Sequence, residues 1–539
     1  MSNEDRPTMG DRQASKKRAL PPALALFVFW GLLLWGLLVS SLPLRAAGPT
    51  PGSPGQEAPP APVASYSNAP ARSSEANGGA GPRVAAASTD HDAVPNTSQD
   101  SNLPSAPQAD APRATATPPA PDPDAGWTPA TRVNSWLPHW LRVSGEFRNR
   151  DEGHTAYRFT SGKDDAYGLT RALLGFDISP ARWLHGFVQA RDAEVIGANP
   201  VNVTSSMKDV FDLTQAYVEF RNAENGWFSL KTGRQELVVG DERLIGKSNW
   251  SNASRVFDAV RLTLRSQASG VRFDAFASSV VKAYPTSLDR NQPGHNLYGL
   301  SLAANKLVPR AAVEPFVYLK TVPFVTGVDK VSGNERLYTS GFRLKGTIPG
   351  GFDYRMRYSY QSGHLANESV RAWGGYAVLG YTIPSRLQPR FSMEYAYASG
   401  DKASGDRTLG TFDQLYPSNH GLRGVTDLFG GQNIVDLRPG FDFRPQRKTR
   451  LYFNVHNLSL ASRHDNLYDN NGAVAVKAPK GGALSTSVGH EADIYGTYDV
   501  NRRLQLAAGF GHLYAGRFLQ QTSPGASVSY PYGFLDYTF

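Results

Sequence analysis

Phe352-Asp353-Tyr354-Arg355-Met356-Arg357-Tyr358-Ser359-Tyr360 changes character at every step. Phe352, Tyr354, Met356, Tyr358 and Tyr360 share one face of an extended chain, and Asp353, Arg355, Arg357 and Ser359 share the other. Similar alternation recurs in 141–148, 391–397 and 451–456, with Gly, Asn, Asp or Pro in the gaps. Between Trp136 and Phe539 about seventeen such stretches can be traced. Composition agrees, since Tyr (24), Phe (26) and Gly (52) are plentiful.

Alternation also describes a soluble sandwich with one wet face. Three features favour a transmembrane antiparallel β-barrel, all-β in class. Strands are many, and a bacterial barrel closes on an even number, so 18 are expected, with 16 as the alternative. Trp136, Trp140, Trp183, Trp227, Trp250 and Trp373 fall near strand ends, as interfacial girdles require. The chain finishes on Leu535-Asp536-Tyr537-Thr538-Phe539, an alternating strand with the terminal Phe typical of outer-membrane barrels. A mean hydropathy of −0.39 is no objection, because lipid-facing residues alternate with polar ones.

Two segments precede the barrel, which is assigned to 132–539. Residues 1–47 read as a signal peptide or N-terminal hydrophobic segment. Lys16, Lys17 and Arg18 lead into the apolar stretch Ala23–Leu42, and Ala46 and Ala47 follow. An uncleaved anchor is the other reading, because the stretch is long and Arg45 and Leu44 are poor cleavage neighbours. Residues 48–131 are rich in Pro, Ala and Ser with no periodic apolar face, which predicts a disordered periplasmic linker. No cysteine is present, so disulfides and thiolate metal sites are excluded.

Net charge is +9, with 9 basic and 11 acidic residues in 1–131 and 47 basic against 36 acidic beyond. A basic side chain facing lipid at mid-bilayer costs about 2–4 kcal/mol, so strand charges are assigned to the interior. Arg148, Arg191, Arg261, Arg343, Arg355 and Arg357 are placed there, with Glu219, Asp353, Glu394, Glu491 and Asp493 among the carboxylates. Two readings follow. Paired Arg and Glu can prop the barrel open, or unpaired Arg can form a positive constriction that favours an anion. The planar guanidinium fork suits carboxylates in particular.

The densest polar run is Gly233-Arg234-Gln235-Glu236-Leu237, then Gly240-Asp241-Glu242-Arg243-Leu244-Ile245, continuing through Trp250, Arg255, Phe257, Asp258 and Arg261. A second run is Gly410-Thr411-Phe412-Asp413-Gln414-Leu415-Tyr416-Pro417-Ser418-Asn419-His420-Gly421, followed by Asp427-Leu428-Phe429-Gly430-Gly431. On these two runs the chain resembles the alginate export family of outer-membrane barrels over roughly residues 140–539. The resemblance implies an 18-stranded monomeric barrel whose Arg-rich lumen passes an anionic polysaccharide out of the cell. It marks Arg234, Arg243, Arg255, Asp258 and Arg261 as pathway residues. The Gly- and Pro-rich segment Asp401–Lys448 is too long for a turn and is assigned as a gating loop, with Asp413, Asn419, His420 and Asp427 in it.

No HExxH pair, GxSxG elbow, phosphate loop or dinucleotide fingerprint occurs, so no catalytic or metal site and no cofactor is expected. The basic excess is spread over strands, not clustered as in a nucleic-acid binder. The expected partners are outer-membrane lipid and lipopolysaccharide, an anionic polysaccharide or small anion, and periplasmic secretion or synthesis components. An uptake porin for small polar or anionic solutes, and a surface enzyme or adhesin anchored by its barrel, are the alternatives.

Overall fold

A computed structural model describes residues 129–539 apart from 223–225, 329 and 404. The assigned signal peptide and nearly all of the Pro/Ala/Ser-rich segment lie outside the described residues. The boundary drawn at 131 falls inside a short helix, α1 (Pro129–Trp136). Asn134 ties that helix to the first strand, donating to the Val143 carbonyl (2.8 Å) and accepting from the Val143 amide (2.7 Å).

Eighteen antiparallel strands follow. They are β1 (Leu141–His154), β2 (Asp165–Ala181), β3 (Leu184–Ile196), β4 (Asp209–Arg221), β5 (Phe228–Gln235) and β6 (Phe257–Ser266). Next come β7 (Val271–Lys282), β8 (Arg290–Val308), β9 (Ala311–Thr326), β10 (Ser332–Ile348), β11 (Phe352–Leu365) and β12 (Glu368–Thr382). The wall is completed by β13 (Arg390–Ala398), β14 (Ile434–Gln446), β15 (Thr449–Leu460), β16 (Ser487–Asp499), β17 (Leu504–Ala515) and β18 (Val528–Thr538). Each pairs with its sequence neighbours, and β18 closes on β1 with Glu146 opposite Thr538. The last residue seals the seam: Phe539 and Gly145 exchange backbone hydrogen bonds at 2.9 Å in both directions. Closure removes every sheet edge, which a bilayer demands because hydrocarbon cannot satisfy a free amide.

The side chains decide between sandwich and membrane barrel. Thr339, Ser359, Gln361 and Glu491 are fully buried inside, while Phe147, Leu300, Val317, Phe342, Phe391 and Ile494 are exposed outside. A soluble protein has the opposite arrangement. Trp136, Trp140, Trp183 and Trp227 are exposed at the end where β1 begins and β18 finishes. Trp373 faces outward near the other end, stacked on Tyr397 at 4.1 Å. Trp250 does not join a girdle. It is 2 % exposed, inside the barrel, because its segment is a loop that turns inward.

Connections alternate in length. Turns such as 309–310, 349–351 and 447–448 join strands at the terminal end, and Gly350 and Gly351 adopt φ of +99° and +96° to reverse the chain there. The other end carries longer loops, above all 236–256, 399–433 and 461–486. Short periplasmic turns and long extracellular loops are the rule for bacterial barrels, which orients the molecule. The gating segment assigned to Asp401–Lys448 is therefore shorter than expected, since Ile434–Gln446 alternates and forms wall strand β14.

Phe342 lies mid-strand on the outer face of β10. Phe342→Arg is expected to lower unfolding stability in phospholipid bilayers by about 2–4 kcal/mol in denaturant titration. A change within about 0.5 kcal/mol, as for an ordinary wet surface, would contradict the lipid-facing assignment.

Candidate functional site

The two polar runs singled out in the sequence meet inside the barrel. Loop 236–256 leaves β5, turns into the lumen and returns to β6; loop 399–433 does the same between β13 and β14. They join as a small parallel pairing at Ile245 and Tyr416. Gly246 N donates to Tyr416 O (2.9 Å), Tyr416 N to Leu244 O (2.8 Å) and Ser418 N to Glu242 O (2.8 Å). The Ser418 hydroxyl donates to Glu242 Oε2 and accepts from Ser248 N, both at 2.8 Å. Arg255 donates to Pro417 O (2.9 Å), and Trp250 stacks on His420 at 4.2 Å with planes 7° apart.

Irregular backbone held in a lumen leaves carbonyls to be satisfied, and wall arginines satisfy them. Arg148 donates to Asn249 O (2.7 Å) and Trp250 O (2.8 Å), and Arg150 to Trp250 O (2.5 Å). Arg171 donates to Asn249 O and Ser251 O, both at 3.0 Å, and Arg191 to Ser254 O (3.1 Å). The Arg150 guanidinium lies 3.9 Å over the Trp250 ring. Strands β1, β2 and β3 thus hold loop 236–256 through four guanidiniums. Loop 399–433 is pinned on the other side. Asp413 pairs with Lys320 of β9 (2.6 Å) and exchanges hydrogen bonds with Gln361 of β11, both at 2.7 Å. Thr426 N donates to Glu491 (2.9 Å) and Val425 N to Asp493 (3.3 Å), both on β16. Gly424, at φ +98°, packs against the Glu491 carboxylate, where a Cβ would collide.

The residues expected to line a pathway fall into three groups. Arg148, Arg191 and Arg255 hold the loops. Arg234 and Asp258 pair across β5 and β6 (2.9 Å), Arg261 pairs with Asp274 (3.0 Å), and Arg191 also pairs with Asp209 (2.6 Å). These are ladder pairs that brace the β3–β7 wall. The third group lies on the opposite wall and in the loops. Arg243 makes a two-pronged pair with Glu394 (2.5 and 3.1 Å), which also accepts from Arg438 (2.5 Å). Arg343 pairs with Glu314 and, at 3.4 Å, with Asp241. Among the described residues Arg355 and Arg357 form no hydrogen bond or ion pair, and Arg357 lies 5.5 Å from the Tyr376 ring centroid.

Arg423 was not singled out in the sequence, although it sits within the second run. Its Nε makes no hydrogen bond among the described residues, and Arg243 and Arg357 face it. Burial and those two cations push the Arg423 guanidinium down to about 10. Burial opposes ionisation of Asp241, yet Arg343, Arg357 and Arg243 overcome it and hold that carboxyl at about 2. Around this point Arg243, Arg343, Lys345, Arg355, Arg357, Arg423 and Arg438 face Asp241, Glu314 and Glu394. With Asp436, which also faces Arg423, the balance is seven cations to four carboxylates.

Of the expected gating residues, Asp413 binds the wall, and Asn419, His420 and Asp427 serve contacts within the loops. Asn419 donates to Gln414 (3.3 Å) and to the Asn470 carbonyl, and His420 pairs with Asp427 (2.7 Å). Burial holds the Asp427 carboxyl well above its usual range despite the Gly421 amide. Sequence reading also missed His456, fully buried between Asp436 (2.7 Å) and Asp493 (3.4 Å), because the three belong to separate strands. Among the described residues no cluster has the makeup of a metal site.

Solved structures with this fold include two Pseudomonas aeruginosa proteins, OpdO and OpdL. OpdO is 10 % identical, aligns over 75 % of this chain and 99 % of its own, and gives a TM-score of 0.51. OpdL is 11 % identical, aligns over 74 % and 98 %, and gives 0.50. At such identity the likeness speaks for the fold alone. The comparison with curated proteins finds no relative. The family model for alginate export matches residues 139–532, which takes in the whole wall except the end of β18 and both inward loops. The chain is an outer-membrane channel and belongs to the alginate export family.

Proposed function

We propose that this channel exports an acidic polysaccharide, gripping its carboxylates at the arginine cluster beside the joined loops. The observation that carries the reading is the imbalance there, above all Arg355, Arg357 and Arg423 with donors left over. A guanidinium with a free edge offers a carboxylate two parallel hydrogen bonds. Several such groups in sequence let a polyanion pass from one to the next without being held at any. The ladder pairs of β3–β7 contribute no such attraction, since their charges cancel locally.

Charge at the two ends supports outward movement. The eight periplasmic turns carry Arg182, Arg310, Arg386, Arg447, Lys448, Arg502 and Arg503 against the single acidic Glu224. The seven extracellular connections that do not turn into the lumen carry 8 basic and 5 acidic residues. A basic mouth concentrates anions on the side from which an exported polymer arrives.

Oligomers of an acidic sugar are expected to block single-channel current, and neutral oligomers of equal length are not. Arg357→Ala combined with Arg423→Ala should weaken the block about tenfold, or about 1.4 kcal/mol. Equal block by neutral sugars would point to a porin for small solutes instead.

Replacing Asp413–Gly421 with a Gly/Ser linker removes the strip that pairs with loop 236–256. Single-channel conductance should then rise several-fold, with the barrel still resisting unfolding in detergent. An unchanged conductance in a folded variant would show that the joined loops do not constrict the lumen.

A further inference from the structure

The outer wall carries a feature that conduction does not use. At the extracellular ends of β8, β9 and β10 a groove of about 400 Å³ opens on the lipid face. Gly294, Tyr298, Thr321, Pro323 and Arg336 line it together with Glu335, whose carboxylate pairs with Lys320 at 3.3 Å. Gly294, at φ +81°, supplies the depth, because a Cβ there would lie 2.9 Å from the Pro323 ring. Arg336 points outward: Glu335 and Leu337 on either side of it are buried inside.

Two more basic groups stand on the same face. Arg336 is opposite His364 on β11, and Arg371 on β12 is opposite Ser362, two residues from His364. Val370 and Ala372 are buried inside, so Arg371 also points outward. The acidic residues nearby point the other way. Glu335 turns in to Lys320 (3.3 Å), and Glu368 is buried and accepts from Val328 N (3.2 Å). The only ring or charge contact of Arg336 among the described residues is the Tyr338 ring, 5.5 Å away.

Depth in the membrane gives the cluster its meaning. Tyr338, Tyr360 and Trp373 form an outward aromatic band across β10–β12, and Arg336 and Arg371 lie two residues beyond it toward the loops. Aromatic bands mark the boundary between acyl chains and headgroups, so these guanidiniums sit at headgroup height. Below the band, Leu300, Val317 and Phe342 present an apolar wall to acyl chains.

We propose that this groove is a binding site for a phosphorylated glycolipid of the outer leaflet. Arg336 and Arg371 hold its headgroup phosphate, and an acyl chain lies along the groove. Guanidinium matches phosphate in shape and charge, and the unopposed positive face suits an anionic headgroup. The site depends on the outer-membrane placement and is independent of the solute transported.

The test uses the full refolded chain in detergent, with bisphosphorylated lipid A as the probe and native mass spectrometry as the readout. Retention of one lipid is expected, with dephosphorylated lipid A and inorganic phosphate retained at least about tenfold more weakly. Arg336→Gln and Arg371→Gln should each reduce retention several-fold while the lipid-free unfolding temperature stays unchanged. Lys306→Gln, at the periplasmic end, should have no effect. Equal retention of the dephosphorylated lipid, equal retention by both variants, or an equal loss with Lys306→Gln would overturn the proposal. Displacement of lipid A by millimolar phosphate would overturn it too, because the site would then recognise the free ion.

Discussion

Four guanidiniums donating to the carbonyls of residues 249–254 are the interaction on which the interior depends. Peptide groups in an irregular loop carry unmet donors and acceptors, and a barrel wall offers only side chains to meet them. Arg148, Arg150, Arg171 and Arg191 come from three adjacent strands and converge on that one stretch. Three of the four also pair with carboxylates, Arg171 with Glu146, Arg150 with Glu152, and Arg191 with Asp209 and Asp289. The loop is thereby fixed across the lumen and becomes the platform on which loop 399–433 lays its own backbone. Removing one member of such a buried network typically costs about 3–5 kcal/mol, since its partners remain buried without it.

The same residue type does different work on the two sides of the barrel. On β3–β7 Arg191, Arg234 and Arg261 each meet an aspartate on a neighbouring strand or turn, and the result is a brace. On β10, β11 and β14, with Arg243 and Arg423 from the loops, cations outnumber carboxylates. Tyr376 packs beneath them, with Arg243 4.0 Å above its ring. Positive charge is costly to crowd, and the arrangement makes physical sense if an anion visits it. On the proposed function, passage of an anion rests on the minority of interior arginines that bracing leaves unpaired.

How far the sequence could be read depended on how local each signal was. Alternation in 352–360 is a local property, and it placed Arg355 and Arg357 inside and Tyr360 outside correctly. The two polar runs were conspicuous because their charge exceeded what alternating strands need, and they prove to be the joined loops. That they touch was not legible, since Ile245 and Tyr416 are separated by most of the barrel wall. Trp250 looked like a girdle residue because a Trp beside a strand usually is one; only the inward turn of its loop buries it. Arg423 and the His456–Asp436–Asp493 contact escaped for the same reason, being set by strand register and loop placement. Which arginines are paired was equally hidden, because Arg261 and Arg357 look alike in sequence until Asp274 is placed within 3.0 Å of Arg261 while Arg357 only faces Asp241 without pairing to it.

The account stands most directly on the sign of the field at the constriction. Single channels of the refolded, unaltered protein in a planar bilayer, held between unequal KCl concentrations, report it through the reversal potential. An excess of unpaired arginine predicts a potential of the sign set by chloride, shrinking as salt rises and screens the cluster. A potential of zero, or one of the sign set by potassium, would mean that the arginines are neutralised by their neighbours and that the channel does not select anions.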